Sequence, residues 1–222
     1  MTDPAYRETT LLCFGDSNTW GYTPLTGERY AWRERWTGRL QMALGNDYRI
    51  IEEGLNGRTT VRDEPFRTGR NGSQVLEILL ASHKPVDWLL LMLGTNDLKR
   101  LYRTTAGDVA LGMARLIELA RRGQNGPGGG EPRILVIAPP PMGRLSERME
   151  RNFSPESIAE SRELAGHFRQ VAVELGCEFL DAGQVAAMAP DGDGIHLGLD
   201  GHSAIARRLT EFFQSPRAST PA

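Results

Sequence analysis

The sequence has few cysteines, and its start does not look like a leader. Only Cys13 and Cys177 occur among the 222 residues, and both lie within apolar, strand-like segments. Such positions are typical of buried free thiols, which suit a reducing cytoplasm. Residues 1–8 lack the basic start and the apolar core of a secretory signal peptide. We therefore expect a cytoplasmic protein.

The sequence also lacks an excess of charge of either sign and has no long apolar runs. Its formal net charge of −2 gives no electrostatic basis for binding nucleic acid or an anionic membrane. No apolar run approaches the length of a membrane-spanning helix. A chain of 222 residues fits one domain comfortably. We expect a single domain over residues 1–214, a disordered tail over residues 215–222, and no nucleic-acid or membrane partner.

Short apolar runs alternate five times with segments of helical periodicity. The apolar runs, each predicted to be a strand, cover residues 10–14, 48–51, 86–93, 133–138 and 177–180. Helices are predicted over residues 33–44, 72–82, 107–121, 155–175 and from about residue 200 onward. This alternation predicts an α/β fold, a three-layer α/β/α sandwich around a five-stranded parallel sheet.

Polar and glycine residues follow several of these predicted strands. Ser17 follows the first strand, Gly57 the second and Asn96 the third, and the loop after the fifth strand carries Asp193 and His196. Right-handed crossovers bring the ends of parallel strands to one edge of the sheet. In open α/β folds this edge is where ligands bind. We therefore expect these five residues to form one site.

Ser17 is a candidate nucleophile, but a serine hydroxyl needs a base to remove its proton. The sequence offers four histidines. His83 is predicted at the end of a helix, His167 within one, and His202 in the last helix, where packing or a structural hydrogen bond is the ordinary role. His196 instead lies in a glycine-punctuated loop just before the last helix. This makes His196 the candidate base.

The candidate acid lies in the same loop as the base. Asp193, three residues before His196, can reach back to the second ring nitrogen and favour the imidazolium that forms during attack. Asp191 is the competing carboxylate, at a less suitable span of five residues. The loop is a poor match to an EF-hand, and His196 and His202 do not have zinc-ligand spacing. We expect Asp193 to be the triad acid and no metal to be bound.

Attack on a carbonyl creates an oxyanion, which needs hydrogen-bond donors already aimed at it. The candidate donors are the Ser17 N–H at a helix start, the Gly57 N–H, where glycine permits close backbone approach, and the Asn96 side-chain amide. Two of these donors have an ordinary alternative. Gly57 follows Asn56 as in a common Asn-Gly turn, and Asn96 suits a turn or a helix cap.

These segments together resemble the SGNH/GDSL hydrolase family. The blocks that carry the resemblance are Gly15-Asp16-Ser17, Gly57, Gly94-Thr95-Asn96-Asp97 and Asp193-x-x-His196. They occur in the order of the family and span residues 15–196. The longer strings at residues 15–21, 52–60 and 92–97 are most similar to bacterial arylesterases and their acyltransferase/perhydrolase relatives. Asn18 departs from the family, which usually has leucine after the serine.

The resemblance implies a flavodoxin-like SGNH-hydrolase fold and a serine esterase that forms an acyl-enzyme without a cofactor. It favours small ester substrates with short acyl chains and aryl alcohols, acyl transfer to alcohols or peroxide as a further activity, and a homo-oligomer. Trp20, close after Ser17, and Thr95, next to Asn96, are candidate substrate contacts. The loop over residues 22–32 and the proline-rich loop from Pro139 are predicted to narrow the entrance.

Three alternatives to an arylesterase remain open at this stage. A carbohydrate acetylesterase uses the same machinery on a sugar acetate. A thioesterase or lysophospholipase needs a longer acyl pocket. A catalytically silent binding module on the same fold is the alternative from outside the enzymes, although the intact set of site residues argues against it.

Overall fold

The computed structural model describes residues 7–215. The predicted tail over residues 215–222 therefore lies outside the described residues, apart from Ser215, which follows the last helix. The limits of the single domain stay a prediction. Within the described range, no helix combines the length and apolar character that a bilayer span requires.

Within residues 7–215, five parallel strands form one sheet in the order β2-β1-β3-β4-β5. The strands are β1 Thr9–Gly15, β2 Tyr48–Gly54, β3 Trp88–Met92, β4 Arg133–Ala138 and β5 Glu178–Asp181. This is the strand order of flavodoxin-like folds. The predicted three-layer α/β fold with a five-stranded parallel sheet is confirmed. β2 extends three residues past its predicted end, because Glu52 to Gly54 continue the pairing with β1.

The part of the chain that the structure describes contains seven α-helices, which flank this sheet. They are α1 Ser17–Trp20, α2 Trp36–Leu44, α3 Leu76–His83, α4 Ala106–Arg122, α5 Glu147–Glu150, α6 Pro155–Glu174 and α7 Leu199–Gln214. The predicted start of α3 at residue 72 is corrected, because Gly72–Gln74 forms a 3₁₀ turn capped by the Asn71 side chain. α4 begins with a capping box, in which Thr105 and Asp108 form reciprocal bonds.

The sheet is covered on both faces because its strands alternate between two apolar clusters. In β1, Leu12 and Phe14 belong to the cluster beneath α3, α4 and α6, whereas Leu11 and Cys13 belong to the one beneath α2 and α7. Every residue of β3 is buried, as expected for a parallel strand with helices on both sides. Burial of each leucine contributes about 1.5–3 kcal/mol of stability.

The parallel topology sorts the loops into two sets. The loops that follow the five parallel strands meet at the carboxyl edge of the sheet. The connector at residues 125–130 lies at the opposite edge, where it leads into β4 and where Asn125 O accepts a bond of 2.8 Å from Val86 N, just before β3. At the end of α7, Phe213 is buried and Phe212 is half-buried.

Candidate active site

Ser17 is presented by a tight turn between β1 and α1. Asp16 caps this one-turn helix by accepting a bond of 2.9 Å from Asn18 N, and Ser17 is its first residue. A Cβ atom at Gly15 would lie 2.0 Å from Thr19 Oγ1, so the turn at this position requires glycine. Ser17 is buried, and its side chain is directed at the loop that carries His196.

Ser17, His196 and Asp193 form a continuous hydrogen-bonded chain. His196 Nε2 lies 2.9 Å from Ser17 Oγ, and His196 Nδ1 lies 2.6 Å from Asp193 Oδ2. Asp193 Oδ1 also accepts bonds from the main-chain N–H groups of Ile195 and His196. Burial opposes ionisation of Asp193, but the His196 bond and charge and these N–H groups outweigh it and lower the pKa of this carboxyl.

This geometry assigns the protons of the imidazole. An ionised Asp193 can only accept hydrogen bonds, so Nδ1 of His196 carries the proton and donates it. Nε2 is then free to accept the hydroxyl proton of Ser17, which is the arrangement needed for general-base catalysis. Asp191, the competing carboxylate, is exposed and has no place in this chain of bonds.

The other histidines that could have competed for this role lie elsewhere. His202 is buried, and its Nδ1 accepts a bond of 3.2 Å from Trp36 N. Burial, followed by the charges of nearby arginines, lowers the pKa of His202 to about 4, so this ring is neutral at pH 7. His83 is 3.0 Å from Glu53 Oε1. Among the histidines that the structure describes, only His196 forms a hydrogen bond with Ser17.

Asn96 lies beside Ser17 at the carboxyl end of β3. Its Nδ2 donates to Arg58 O at 3.1 Å and to Asp16 Oδ2 at 3.2 Å. These two acceptors fix the plane of the amide at the edge of the cavity. Gly57, which precedes Arg58, has a φ of +83°, a left-handed conformation that favours glycine. The three predicted oxyanion donors, Ser17, Gly57 and Asn96, thus line the same cavity.

Two buried carboxyl groups, those of Asp16 and Asp97, form hydrogen bonds that hold the loops around Ser17 and Asn96. Burial raises the pKa of Asp16 to about 6, although bonds from Asn18 and the charges of His196 and Arg58 lower it in part. Burial likewise raises the pKa of Asp97 to about 7. Asp97 accepts bonds from Thr60 N at 3.0 Å and Thr60 Oγ1 at 2.6 Å, and so joins the loop after β2 to the loop after β3.

Ser17 and His196 open into a cavity of about 420 Å³. Besides these two residues, its lining consists of Tyr22, Asn56, Gly57, Glu64, Phe66, Arg67, Asn96, Lys99, Arg148, Met149, Asn152, Phe153 and Ile195. Neither of the two predicted substrate contacts, Trp20 and Thr95, is among these lining residues. Trp20 instead lies with its ring 5.1 Å from the Arg29 guanidinium carbon, and Thr95 is buried. Substrate contact by Trp20 and Thr95 stays a prediction without support from the cavity.

Several lining residues were not predicted as site residues. Tyr22, whose ring stacks on His196, follows Ser17 by five residues, a proximity that could have indicated it. Phe66, Arg67 and Arg148 lie in aperiodic segments, so no sequence signal places them here. Within residues 7–215, no three His, Cys, Asp or Glu side chains cluster as a metal site would require. The absence of a cofactor stays a prediction.

Comparisons with known proteins agree with this geometry. The chain superimposes on a carbohydrate acetylesterase from Sinorhizobium meliloti with a TM-score of 0.87 and 36% identity, covering 93% of this chain and 98% of that one. It superimposes on the aryl esterase of M. smegmatis with a TM-score of 0.86 and 37% identity, over 93% and 98% of the two chains. Comparison with curated protein sequences gives no match.

A family model provides the remaining link. The model of the GDSL-like lipase/acylhydrolase family matches residues 13–204, which include Ser17, Asn96, Asp193 and His196. The predicted resemblance to SGNH/GDSL hydrolases is confirmed. The chain belongs to the GDSL-like lipase/acylhydrolase family and is a carboxylic ester hydrolase.

Proposed function

We propose that the protein hydrolyses small esters with short acyl chains, including aryl esters, through an acyl-enzyme on Ser17. The observation that carries this proposal is the chain of bonds from Ser17 Oγ through His196 to Asp193. It gives a hydroxyl a base, and it gives the base an acid that stabilises its charged form. The N–H groups of Ser17 and Gly57 and the side-chain amide of Asn96 form the oxyanion hole.

In the first half of the reaction, His196 Nε2 takes the Ser17 proton as Oγ bonds to the ester carbonyl carbon. The carbonyl oxygen becomes an oxyanion, which receives the Ser17 N–H, the Gly57 N–H and the Asn96 amide. The Asn96 amide shares or exchanges one of its two present acceptors, Arg58 O and Asp16 Oδ2, for this oxygen. The tetrahedral intermediate then expels the alkoxide, His196 protonates it, and an alcohol leaves.

In the second half, His196 removes a proton from water as the water oxygen bonds to the acyl carbon. Collapse of this second intermediate breaks the bond to Oγ and returns the proton to Ser17. The products are one carboxylic acid and one alcohol, and no redox step occurs. An alcohol or a peroxide that replaces water in this half would give an ester or a peracid, which is the acyltransfer activity we also propose.

The decisive test of the nucleophile is covalent labelling. A fluorophosphonate probe should label the wild-type protein at Ser17 and leave Ser17→Ala unlabelled, as read by intact mass spectrometry. His196→Ala should be labelled far more slowly. Labelling of Ser17→Ala at the wild-type rate would overturn the assignment, and a wild-type protein that is never labelled would favour a silent binding module.

A carbohydrate acetylesterase is the second candidate, and the cavity lining favours it in one respect. Asn56, Asn152 and Glu64 bring polar groups to the cavity, which suits the hydroxyl groups of a sugar better than a plain aromatic ring. The two candidates are separated by comparing kcat/KM for acetylated sugars with that for aryl acetates. A chain-length series from acetyl to lauroyl tests the thioesterase or lysophospholipase alternative, which requires activity on the long chains.

Two further properties belong to this proposal. We propose a homo-oligomer, supported by Phe66, an aromatic side chain that is 83% exposed at the mouth of the cavity. A single monomer peak in sedimentation velocity would overturn it. We also propose a cytoplasmic location, which agrees with the two free thiols of Cys13 and Cys177; recovery of the protein in a periplasmic or extracellular fraction would contradict it.

A further inference from the structure

The charged side chains in the cavity are mostly cations. Arg67, Lys99 and Arg148 line it, against the single anion Glu64. Glu64 Oε2 lies 2.7 Å from Lys99 Nζ and 3.0 Å from Arg67 Nη2. Burial opposes ionisation of Glu64, but the bonds to these two cations outweigh it and lower its pKa, so it remains charged. With three cations against one anion, the charged side chains of the cavity lining carry a net charge of +2, and Arg148 is the cation that Glu64 does not contact.

Arg67 and Arg148 line the same cavity as the reacting groups of Ser17 and His196. The Arg67 guanidinium packs over Gly57, because a Cβ atom added there would lie 2.4 Å from Arg67 Nη2. Arg148, which is exposed, makes no hydrogen bond or ion pair within the described part of the chain. A guanidinium presents a planar fork that matches a carboxylate. The cavity therefore offers such a ligand both positive charge and directed donors.

We propose that Arg67 and Arg148 form an anion subsite and that the preferred ester carries a carboxylate near the scissile bond. This inference deepens the proposed esterase function and rests on it. It excludes neither aryl nor sugar alcohols, since both kinds exist with acidic groups. It predicts instead that, among aryl esters and among sugar esters, those with an acidic group react faster.

A matched pair of substrates tests the subsite. 4-Acetoxyphenylacetate and its methyl ester release the same acyl group from phenols of similar reactivity and differ in one negative charge. At low ionic strength the anion should have a kcat/KM at least about fivefold higher, the effect of one contact between exposed unit charges. Added sodium chloride should reduce this advantage. Arg148→Gln should remove most of it, whereas Arg208→Gln, which alters an exposed arginine on α7, should not.

The outcomes of this experiment separate the subsite from the esterase. Equal or lower kcat/KM for the anion at every salt concentration overturns the subsite and leaves the esterase proposal standing, because the neutral ester is still hydrolysed. Loss of the preference in Arg208→Gln to the same extent as in Arg148→Gln also overturns it. Failure to hydrolyse either ester overturns both proposals.

A second, independent observation concerns Asn18, the residue after the nucleophile. Its side chain joins the main chain on both sides of His196: Nδ2 donates to Ile195 O at 3.0 Å, and Oδ1 accepts from Leu197 N at 2.9 Å. Asn18 is 2% exposed. Its own main chain is also fixed, since Asn18 N donates to Asp16 and Asn18 O accepts from the Trp36 indole at 3.1 Å.

The two side-chain bonds connect the nucleophile's helix to the base's loop, and the two main-chain bonds hold Asn18 itself in place against Asp16 and Trp36. Ser17 and Asn18 are adjacent in α1, so the distance from Ser17 Oγ to His196 Nε2 depends on how this helix is attached to residues 195–197. A leucine, the usual family residue here, has the same branching but neither donor nor acceptor. We infer that Asn18 is a positioning residue that holds His196 against Ser17, acting through the base assigned above.

The test compares Asn18→Leu and Asn18→Asp with the wild type. Misplacement of a reacting group by about 1 Å can cost about 100-fold in rate, and Asn18→Leu should lower kcat by 10- to 100-fold with KM changed little. Asn18→Asp, which keeps the acceptor for Leu197 N, should have a kcat between those of Asn18→Leu and the wild type. The far-downfield proton resonance of the His196–Asp193 bond should shift or broaden in the same order. If Asn18→Leu does not fold, the isosteric Asn18→Asp carries the test.

Gln41→Met is the matched control for lost stability. Gln41 also bonds three main-chain groups, those of Gly45, Tyr48 and Ile50, but at the start of β2, far from the site. Its loss should lower the free energy of unfolding without lowering kcat. Wild-type kcat and an unchanged resonance in Asn18→Leu, or a fall in kcat no larger than that of Gln41→Met, would overturn the positioning role.

Discussion

The ring of Tyr22 stacks on the imidazole of His196, with centroids 4.1 Å apart and planes inclined by 24°. The face of an aromatic ring attracts a cation, so this contact favours the imidazolium that forms when His196 takes the serine proton. Tyr22→Ala should lower kcat about tenfold, the effect of roughly 1.4 kcal/mol. Tyr22→Phe keeps the stacking and should remain near wild type in a steady-state ester assay. Equal loss in both variants would point to the hydroxyl instead.

Substitution of the two loop aspartates should identify the triad acid. Asp193→Asn removes the charge that fixes the His196 tautomer and should reduce kcat by about 10⁴, as the equivalent change does in other triads. Asp191→Asn, an exposed neighbour two residues away, should leave kcat within about twofold of wild type because exposed substitutions cost little. Both are measured with one aryl acetate at pH 7.5. Reversal of the two effects would assign the acid to Asp191.

Removal of the Asn96 amide should reveal an oxyanion donor. Asn96→Ala should cost about 10²–10³ in kcat with KM changed little, since the donor acts mainly in the transition state. Asn152→Ala, which alters an exposed asparagine on the same cavity, is the control and should have a much smaller effect on kcat. Full activity in Asn96→Ala would show that its bonds to Arg58 and Asp16 are its only role.

Alanine substitutions at two glycines of one loop should distinguish the cost of backbone strain from an effect on the active site. Gly57 and Gly69 both have positive φ, +83° and +74°. A Cβ atom at Gly57 would meet the Arg67 guanidinium, whereas a Cβ atom at Gly69 would meet nothing within 4 Å. Each alanine substitution should lower the free energy of unfolding by about 1–2 kcal/mol, the cost of the left-handed conformation. Gly57→Ala alone should also reduce kcat, because it displaces the N–H that we propose as an oxyanion donor. Urea unfolding and a rate assay on both variants measure this difference.

Asp97 should make stability fall as pH rises. Burial raises its pKa from 3.8 to about 7, so between about pH 4 and pH 7 the folded state binds a proton that the unfolded state has lost. The free energy of unfolding therefore decreases across this range on account of Asp97. Asp97→Asn cannot titrate, and its stability should fall less steeply from pH 4 to 7 in urea denaturation. Parallel curves for the two proteins would contradict the raised pKa.

The convergence of Ser17, Gly57, Asn96 and His196 could be predicted from sequence because topology alone enforces it. All parallel strands end at one edge of the sheet. The residues that directly follow these strands therefore lie close together, and the paths of the connecting segments do not affect this. Chain order and spacing were enough to select Asp193 over Asp191 as the residue bonded to His196.

What the sequence did not reveal depends on contacts between distant segments. Asn18 was noted only as a departure from leucine, because its partners Ile195 and Leu197 lie 177 and 179 residues away. Arg67 and Arg148 come from aperiodic segments whose paths are set by tertiary packing. The start of α3 was misplaced because the helical spacing of apolar residues from Val75 onward does not mark the first residue of the helix, and Gly72–Gln74 forms a separate capped turn.

The connector at residues 125–130 has a practical consequence for handling this enzyme. It lies at the amino edge of the sheet, across the full length of the strands from Ser17, and Cβ atoms at Gly128 and Gly129 would meet nothing within 4 Å. An affinity tag or a tether to a solid support inserted there would leave the cavity mouth facing away from the attachment. Immobilised catalyst prepared in this way should keep its substrate access, whereas coupling through the loops at residues 61–70 would block it.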